Sequence, residues 1–567
     1  MRKAAAFRDR PPLRLPPRGK RRPRTPAAGL TRARNLRLGV SERVHRVASS
    51  LIALAALPTL AAAQIIRIPT VTISPEHQFE ILPSRAAAMG GVSIAIADPL
   101  LDPFVNPAKG SRIDQARLFS SPGVFGVSGE EGGGWTLPLG ALAKSGAWFG
   151  GFSVGIQDVD VGEQREAPPV ILDGKCAGCT TEELDLWQGD PSQRNRYGFA
   201  LLGRELQDGG LSLGGSMLWS GLEAVDGVDR LYPGSVRFDQ LGHELDVRFG
   251  ALKQWAGDRS LEVLALYNRF RATHEALYLE SFWDPGERQQ SRRPRLERNF
   301  DRTSLWGLHI EYERPLADEG WRMGWLGTVN YQSHPAMPDY EIASVSRDRG
   351  RSTALDLGVG IARSLGASTL GVDLIYEPIW SHTWAATSVP VETTLDETIA
   401  TGGKVLENRY RFSNAVARMG VEQEAELAGS YVVGVQLGLT VRRIAYRLEQ
   451  RDHVQLRDRD LAERWMEWTP TLGLALRTPG LEVRYRSQMT SGIHRPGLGR
   501  PPSPGCIGFC VAGALDASML PGGPLHSGPA PDLLTVSVHQ ISFSLPLGWG
   551  GSVRASPRGE GAREESR

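Results

Sequence analysis

From about residue 145 onward, apolar residues recur at every second position. Leu355, Leu357, Val359 and Ile361 alternate with Asp356, Gly358 and Gly360, and Leu370, Val372 and Leu374 alternate with Gly371 and Asp373. Val433, Val435, Leu437 and Leu439 alternate with Gly434, Gln436 and Gly438. Side chains on a strand point to opposite faces in turn, so each such run predicts a β-strand with one apolar face and one polar, charged or glycine face. Short turns are expected at Gln207–Gly210, Ala256–Arg259, Leu316–Gly320, Ser364–Ser368, Glu426–Ser430 and Thr478–Gly480. Long polar loops are expected near 161–195, 222–236, 271–302, 334–352, 381–408, 449–464 and 491–532. Together they join fourteen strands between about 145 and 549, and residues 116–144 add room for one more short hairpin.

The prediction is therefore an all-β chain, a transmembrane antiparallel β-barrel of about 14 strands (14–16) over residues 116–549. Short turns at one end and long loops at the other are the layout of such barrels. The physical cause is that hydrocarbon offers backbone amides no partner, so the strands must close on themselves. A soluble sandwich or propeller shares the alternation but seldom alternates short and long connections so regularly. Trp148, Trp219, Trp306, Trp325, Trp380 and Trp468 fall at or near strand ends, where a flat ring with a polar edge suits a membrane–water boundary.

The polar face supplies the candidate lumen residues Glu311, Arg322, Asp356, Asp373, Glu377, Arg418 and Glu422, with His309 and Glu313 on the same face. Two readings stay open for them: a solute path, or a lumen filled by mutual ion pairs and water, since buried charges must be paired. Their mixed signs argue against a pore selective for one charge.

Composition narrows the class. The chain has 567 residues, 41% of them hydrophobic, enough for a sizeable core. The one long uncharged apolar stretch is Val47–Ala63, which excludes a polytopic helical membrane protein, because each span needs about 20 apolar residues. Of the 65 basic and 63 acidic residues, 15 and two fall within residues 1–46, which leaves 50 against 61, a net of −11, for the remainder. That balance argues against a nucleic-acid partner.

Val47–Leu60 has the length of a signal-peptide core. It ends at Ala61-Ala62-Ala63 before Gln64, with Arg43 and Arg46 as its positive flank, so export with cleavage of the leader is expected. The Arg/Pro-rich stretch before it has no periodicity, and a true start near Val40 would leave a signal peptide of ordinary size. The four cysteines, Cys176 and Cys179 with Cys506 and Cys510, lie in Gly/Pro-rich loops with no histidine beside them. In an exported chain they are disulfide candidates, and metal binding is the lesser reading.

Residues 64–115 do not alternate cleanly. They carry Ser84-Arg-Ala-Ala-Ala-Met-Gly-Gly-Val-Ser-Ile-Ala-Ile-Ala-Asp98, then Asp102-Pro-Phe-Val-Asn-Pro-Ala108. Gly90-Gly91 permits a left-handed turn or a close backbone approach, and Asn106-Pro107 suits a turn. Small-Arg-x-x-x-Met-Gly-Gly, then Ala-x-Ala-Asp, then Asn-Pro-Ala, between a signal peptide and a barrel, resembles the FadL-type outer-membrane family. That family includes long-chain fatty-acid and aromatic-hydrocarbon transporters and the PorV-like barrels of secretion systems. The resemblance implies a 14-stranded barrel with an N-terminal plug, to which Met89, Gly90, Gly91, Asp98, Asn106, Pro107 and Ala108 would belong. Pro99–Asp102, Lys109-Gly110 and the polar tail 550–567 depart from the pattern.

Other candidate chemistry is thin. Gly151-Phe-Ser153-Val-Gly155 matches a hydrolase pattern that needs a strand–turn–helix elbow, yet Ser153 lies inside an alternating run. The histidines show no metal-type cluster, so no metal, cofactor or catalytic residue is expected. Loop 161–192 is rich in acids, which suits weak divalent-cation binding, and 288–302 holds Arg288, Arg292, Arg293, Arg295, Arg298 and Arg302, whose forks suit lipid phosphates. Solvated loop charge is the plain alternative for both. The expected protein is a non-enzymatic barrel of the Gram-negative outer membrane, passing hydrophobic small molecules or serving as a binding scaffold. Its expected partners are outer-membrane lipid, lipopolysaccharide and the barrel-assembly machinery.

Overall fold

The structure is a computed structural model. It describes Gln78 and residues 80–547, apart from 129–131, 161–191, 207–209, 226–227, 229–234, 236, 285–288, 317–319, 334–344, 388, 428–429 and 494–533. The leader, Cys176, Cys179, Cys506, Cys510, Arg288, the acidic part of loop 161–192 up to residue 191 and the tail 550–567 lie outside the described residues, as do the side chains of Arg292, Arg293 and Arg295.

The described chain opens with one helical turn, α1 (Asp102–Val105), and a 3-10 turn (Pro107–Arg112). Strands follow: β1 (Arg117–Ser120), β2 (Gly123–Val127), β3 (Gly133–Ser145), β4 (Trp148–Asp160), β5 (Ser192–Leu206), β6 (Leu211–Leu222), β7 (Arg237–Trp255), β8 (Arg259–Asp284), β9 (Gln289–Pro315) and β10 (Trp321–Ser333). Then come β11 (Val345–Leu365), β12 (Ser368–Thr387), the small hairpin β13 (Val391–Glu392) and β14 (Thr398–Ile399), and β15 (Lys404–Glu426), β16 (Val432–Asp452), β17 (Arg457–Arg477), β18 (Glu482–Ile493) and β19 (Leu534–Pro546).

Each barrel strand pairs antiparallel with the next, and β19 returns to pair with β1 and β2. β1 and β2 both pair with β3 in one register and act as a single strand interrupted at Ser121-Pro122. The ring is closed and has sixteen strands, two more than the fourteen implied by the family resemblance. The additional pair is the 116–144 hairpin. Its alternation is hard to read because Pro122 interrupts the first strand and Pro138 sits inside the second.

The six predicted short turns all separate consecutive strands as expected. Several expected loops are strand instead. Residues 271–284 and 289–302 form the far halves of β8 and β9, which run 26 and 27 residues. Likewise β16 and β17 continue to Asp452 and from Arg457. A strand of a membrane barrel crosses hydrocarbon in about 9–11 residues. The surplus stands beyond that band, where charged residues such as Arg298, Arg302, Arg447 and Arg451 enter the outward face and break the apolar alternation that marks a strand.

The apolar sides face outward. Phe152, Val154 and Ile156 are exposed, whereas Ser153 and Gln157 between and beyond them are buried on the inner side. Trp219, Trp306, Trp380 and Trp468 stand roughly ten residues above the short turns, and Trp148 and Trp255 beside short turns, which marks two belts about one hydrocarbon thickness apart. Ser153 lies mid-strand and donates to Leu139 O at 3.3 Å, with β4 running on to Asp160, so the hydrolase elbow is not formed.

Candidate functional site

The inner wall holds the N-terminal segment against itself. Glycine makes this contact possible. A Cβ at Gly438 or Gly420 would overlap the Met89–Gly90 backbone, and one at Gly214 or Gly250 would collide with Asn106–Ala108. Only a residue without a side chain lets a second backbone lie this close to the sheet. Gly90 needs its own freedom for the same reason. Its φ is +67°, and a Cβ there would sit 2.7 Å from Met419 O and 2.8 Å from Leu439 N. The glycine-rich face of the alternating strands therefore marks where another piece of chain is seated.

Hydrogen bonds tie down the seated backbone. Thr471 Oγ1 accepts from Gly90 N at 3.0 Å and donates to Ala88 O at 2.8 Å. Thr440 Oγ1 donates to Gly90 O at 2.7 Å. Asp373 accepts from Ser93 N and Ile94 N at 2.8 and 3.3 Å, and Arg418 donates to Gly91 O at 3.4 Å. Within the segment, Asp98 accepts from Ser84 Oγ and the amides of Arg85 and Ala86 with one oxygen, and from the amides of Leu100 and Leu101 with the other. One carboxylate thus joins both ends of the Ser84–Leu101 stretch. Phe104 and Ile113 pack on Phe119, Leu142, Phe149, Phe199 and Leu201 of the wall, an apolar anchor beside the polar one.

A charged cluster sits at the next contact. Asn106 Oδ1 accepts from Ala108 N, which closes the Asn-Pro turn, and its Nδ2 donates to Glu262 Oε2 at 3.2 Å. Lys109 Nζ lies 3.0 Å from the same Glu262 oxygen and 3.7 Å from Asp102. Glu262 on β8 is the direct cross-strand partner of Glu311 on β9. His309, two residues before Glu311 and on the same face, places Nε2 3.3 Å from Glu262 Oε1 and 3.5 Å from Glu311 Oε2. Thr328 Oγ1 meets its Nδ1 at 2.9 Å. Arg322 pairs with Glu313 at 2.8 Å.

Every lumen residue named from the sequence faces inward. Glu311 and Arg322 belong to the cluster just described, and Asp373 and Arg418 touch the segment. Glu377 pairs with Arg442 at 3.3 Å, and Glu422 accepts from Gln436 and lies 3.6 Å from Arg484. Asp356 is buried near these groups without a hydrogen bond to its Oδ1 among the described residues. Met89, Gly90, Gly91, Asp98, Asn106, Pro107 and Ala108, the residues expected in a plug, all lie in the stretch seated against the wall. The sequence reading missed Glu262 and Lys109, and it missed the grouping of His309 with two glutamates. The His309-x-Glu311 spacing on one strand face was the available signal.

Higher in the barrel the inner wall turns apolar. Ile379 of β12, Tyr410 and Phe412 of β15 and Ile444, Tyr446 and Leu448 of β16 form one inward cluster toward the loop end. Tyr446 donates a short hydrogen bond to Glu463.

No family model matches the chain, and no curated protein matches it. Among solved structures it is similar to a Pseudomonas aeruginosa FadL homologue, at 11% identity over 82% of this chain and 99% of that one, with a TM-score of 0.39. It is also similar to the Pseudomonas putida toluene transporter TodX, at 11% identity over 81% and 96%, with a TM-score of 0.34. The FrpB iron transporter from Neisseria meningitidis matches at 9% identity over 77% and 83%, with a TM-score of 0.28.

Proposed function

We propose that this chain is an outer-membrane barrel that passes hydrophobic small molecules, with residues 64–115 serving as its plug. The observation that carries the reading is the inward apolar cluster around Phe412 and Ile444, which lies toward the loop end from the seated segment and from the polar stretch of wall that holds Asp373, Glu377 and Arg442. Water-filled pores line their walls with polar groups, whereas fatty-acid-like or hydrocarbon ligands need an apolar surface to leave the outer leaflet for. The outward apolar face between two aromatic belts supports placement in a membrane. Exposed Arg409, Arg411, Arg447 and Arg451 above the upper belt, paired with Glu407, Glu449, Asp460 and Asp458 respectively, suit contact with lipopolysaccharide phosphates. Export with cleavage after Ala63 and delivery to the barrel-assembly machinery complete the reading.

A second reading has its own support. The ring is hydrogen-bonded between all neighbouring strands, and the segment is fastened along its length, which suits a barrel that presents loops to other proteins. Uptake of long-chain fatty acids and aromatic hydrocarbons decides between them, compared in a deletion strain restored with the wild type, Phe412→Ala or Ile444→Ala. Loss of uptake on deletion, with partial loss in both variants, supports transport. Unchanged uptake with loss of other proteins from the cell surface supports the scaffold and overturns the first reading.

A further inference from the structure

We infer that Glu262, His309 and Glu311 form a binding site for one divalent transition-metal ion on the inner wall of the barrel. All three side chains are buried, and one donor atom from each lies within 4.8 Å of the other two. The spacing is that of ligands and not of an optimal hydrogen-bond network. Metal bonds of about 2.0–2.2 Å at tetrahedral angles separate adjacent donor atoms by about 3.3–3.6 Å. His309 Nε2 stands 3.3 and 3.5 Å from its two carboxylate oxygens, longer than a charge-assisted hydrogen bond of about 2.7–2.9 Å.

The surroundings agree. When Nδ1 donates to Thr328 Oγ1, Nε2 turns a lone pair toward two carboxylates, an arrangement that a cation between them makes favourable. Glu311 Oε1 is buried with no hydrogen-bond partner among the described residues, so a donor oxygen is left over at the site. Glu262 uses Oε1 toward the site and keeps Oε2 for Asn106 and Lys109, the outer-shell support that metal ligands require. Charge closes the argument. Lys109 and Arg322 supply two positive charges against the four carboxylates of Asp102, Glu262, Glu311 and Glu313, which leaves two negative charges to be balanced by one divalent ion. Mixed imidazole and carboxylate donors favour zinc over calcium or magnesium, which take oxygen ligands. Glu262 also holds the Asn-Pro turn, so the ion would couple to the seating of the N-terminal segment.

The test uses the full chain folded in detergent and stripped with EDTA. Zinc is titrated calorimetrically and counted after desalting, and cobalt is added separately to read the visible absorption of a tetrahedral site. Heat-modifiable gel mobility reports whether each variant barrel is folded. The expected result is a stoichiometric zinc equivalent whose affinity falls about tenfold to a hundredfold in Thr328→Val. His309→Ala and the near-isosteric Glu311→Gln should abolish that equivalent and the cobalt band. His539→Ala, on the outer face beside Tyr485, should leave both intact. Wild-type protein without stoichiometric zinc overturns the assignment, as does zinc binding that persists unchanged in folded Glu311→Gln.

Discussion

The seating of the N-terminal segment depends on wall glycines, and Gly438→Ala is the sharpest probe of it. A Cβ at 438 would lie 2.5 Å from Thr471 Oγ1 and closer still to Gly90 N and the Met89 carbonyl carbon, where ordinary contacts begin at 3.4 Å. Two of those atoms are backbone and cannot rotate away. The segment must back off by about 1 Å, an overpacking strain of about 1–3 kcal/mol. Retreat also stretches the bonds from Gly90 N to Thr471 and from Thr440 to Gly90 O, each worth about 1 kcal/mol net. The seated state should therefore lose about 3–5 kcal/mol relative to a detached one, while the ring itself stays closed. Gly198→Ala is the matched control. Its Cβ would meet nothing within 4 Å, and replacing a strand glycine there should be neutral or gain about 0.5–1 kcal/mol. Limited trypsin digestion of the folded protein reads the difference at Arg85 and Arg112, with gel mobility as the check on the barrel. Cleavage at those arginines should quicken at least a hundredfold in Gly438→Ala and stay at the wild-type rate in Gly198→Ala, by the conversion of about 1.4 kcal/mol per tenfold. Equal protection of the segment in both variants, with both barrels folded, would refute the argument.

Three further outcomes follow from the geometry. Leu374, 55% exposed on the outer face at mid-height of β12, should tolerate arginine poorly, with Leu374→Arg losing about 2–4 kcal/mol in a urea titration in lipid vesicles. Asp98→Ala strips the common acceptor from five donors and should free residues 84–86 at a cost of about 3 kcal/mol, read as faster hydrogen exchange at the Arg85 and Ala86 amides while β15–β17 stay protected. In the extension above the upper belt, burial pushes the Glu407 carboxyl up, but hydrogen bonds with His382, Lys404 and Arg409 outweigh it and hold it at about 2. A depressed carboxylate contributes its full stability above the ordinary value near 4.5 and loses it as pH falls toward 2, so proteolytic resistance of the β12–β15 tip should decline from about pH 5 downward, and Glu407→Gln should flatten that decline.

Much of the architecture was legible because a two-residue period survives in any strand with hydrocarbon on one side. Runs such as Leu355–Ile361 and Leu370–Leu374 announced their strands, and the six short turns were placed correctly from polar and glycine punctuation. Where the hydrocarbon ends, the rule loses its cause, and the far halves of β8 and β9 read as loop. The hairpin from Arg117 to Ser145 was faint because Pro122 and Pro138 interrupt it. At the site, the inward orientation of Glu311, Asp373 and Arg418 followed from parity alone. Asn106 and Glu262, 156 residues apart, gave no local hint of their contact.

Alternation, the length of each crossing and the sides on which charge and glycine fall are properties of the chain read two residues at a time, and the amino-acid order determines them. What lies against those glycines, and which histidine stands between which glutamates, depends on how far round the ring each strand is carried. That distance is set by closure of sixteen strands and by the segment threaded inside them, which are long-range constraints that no local period records.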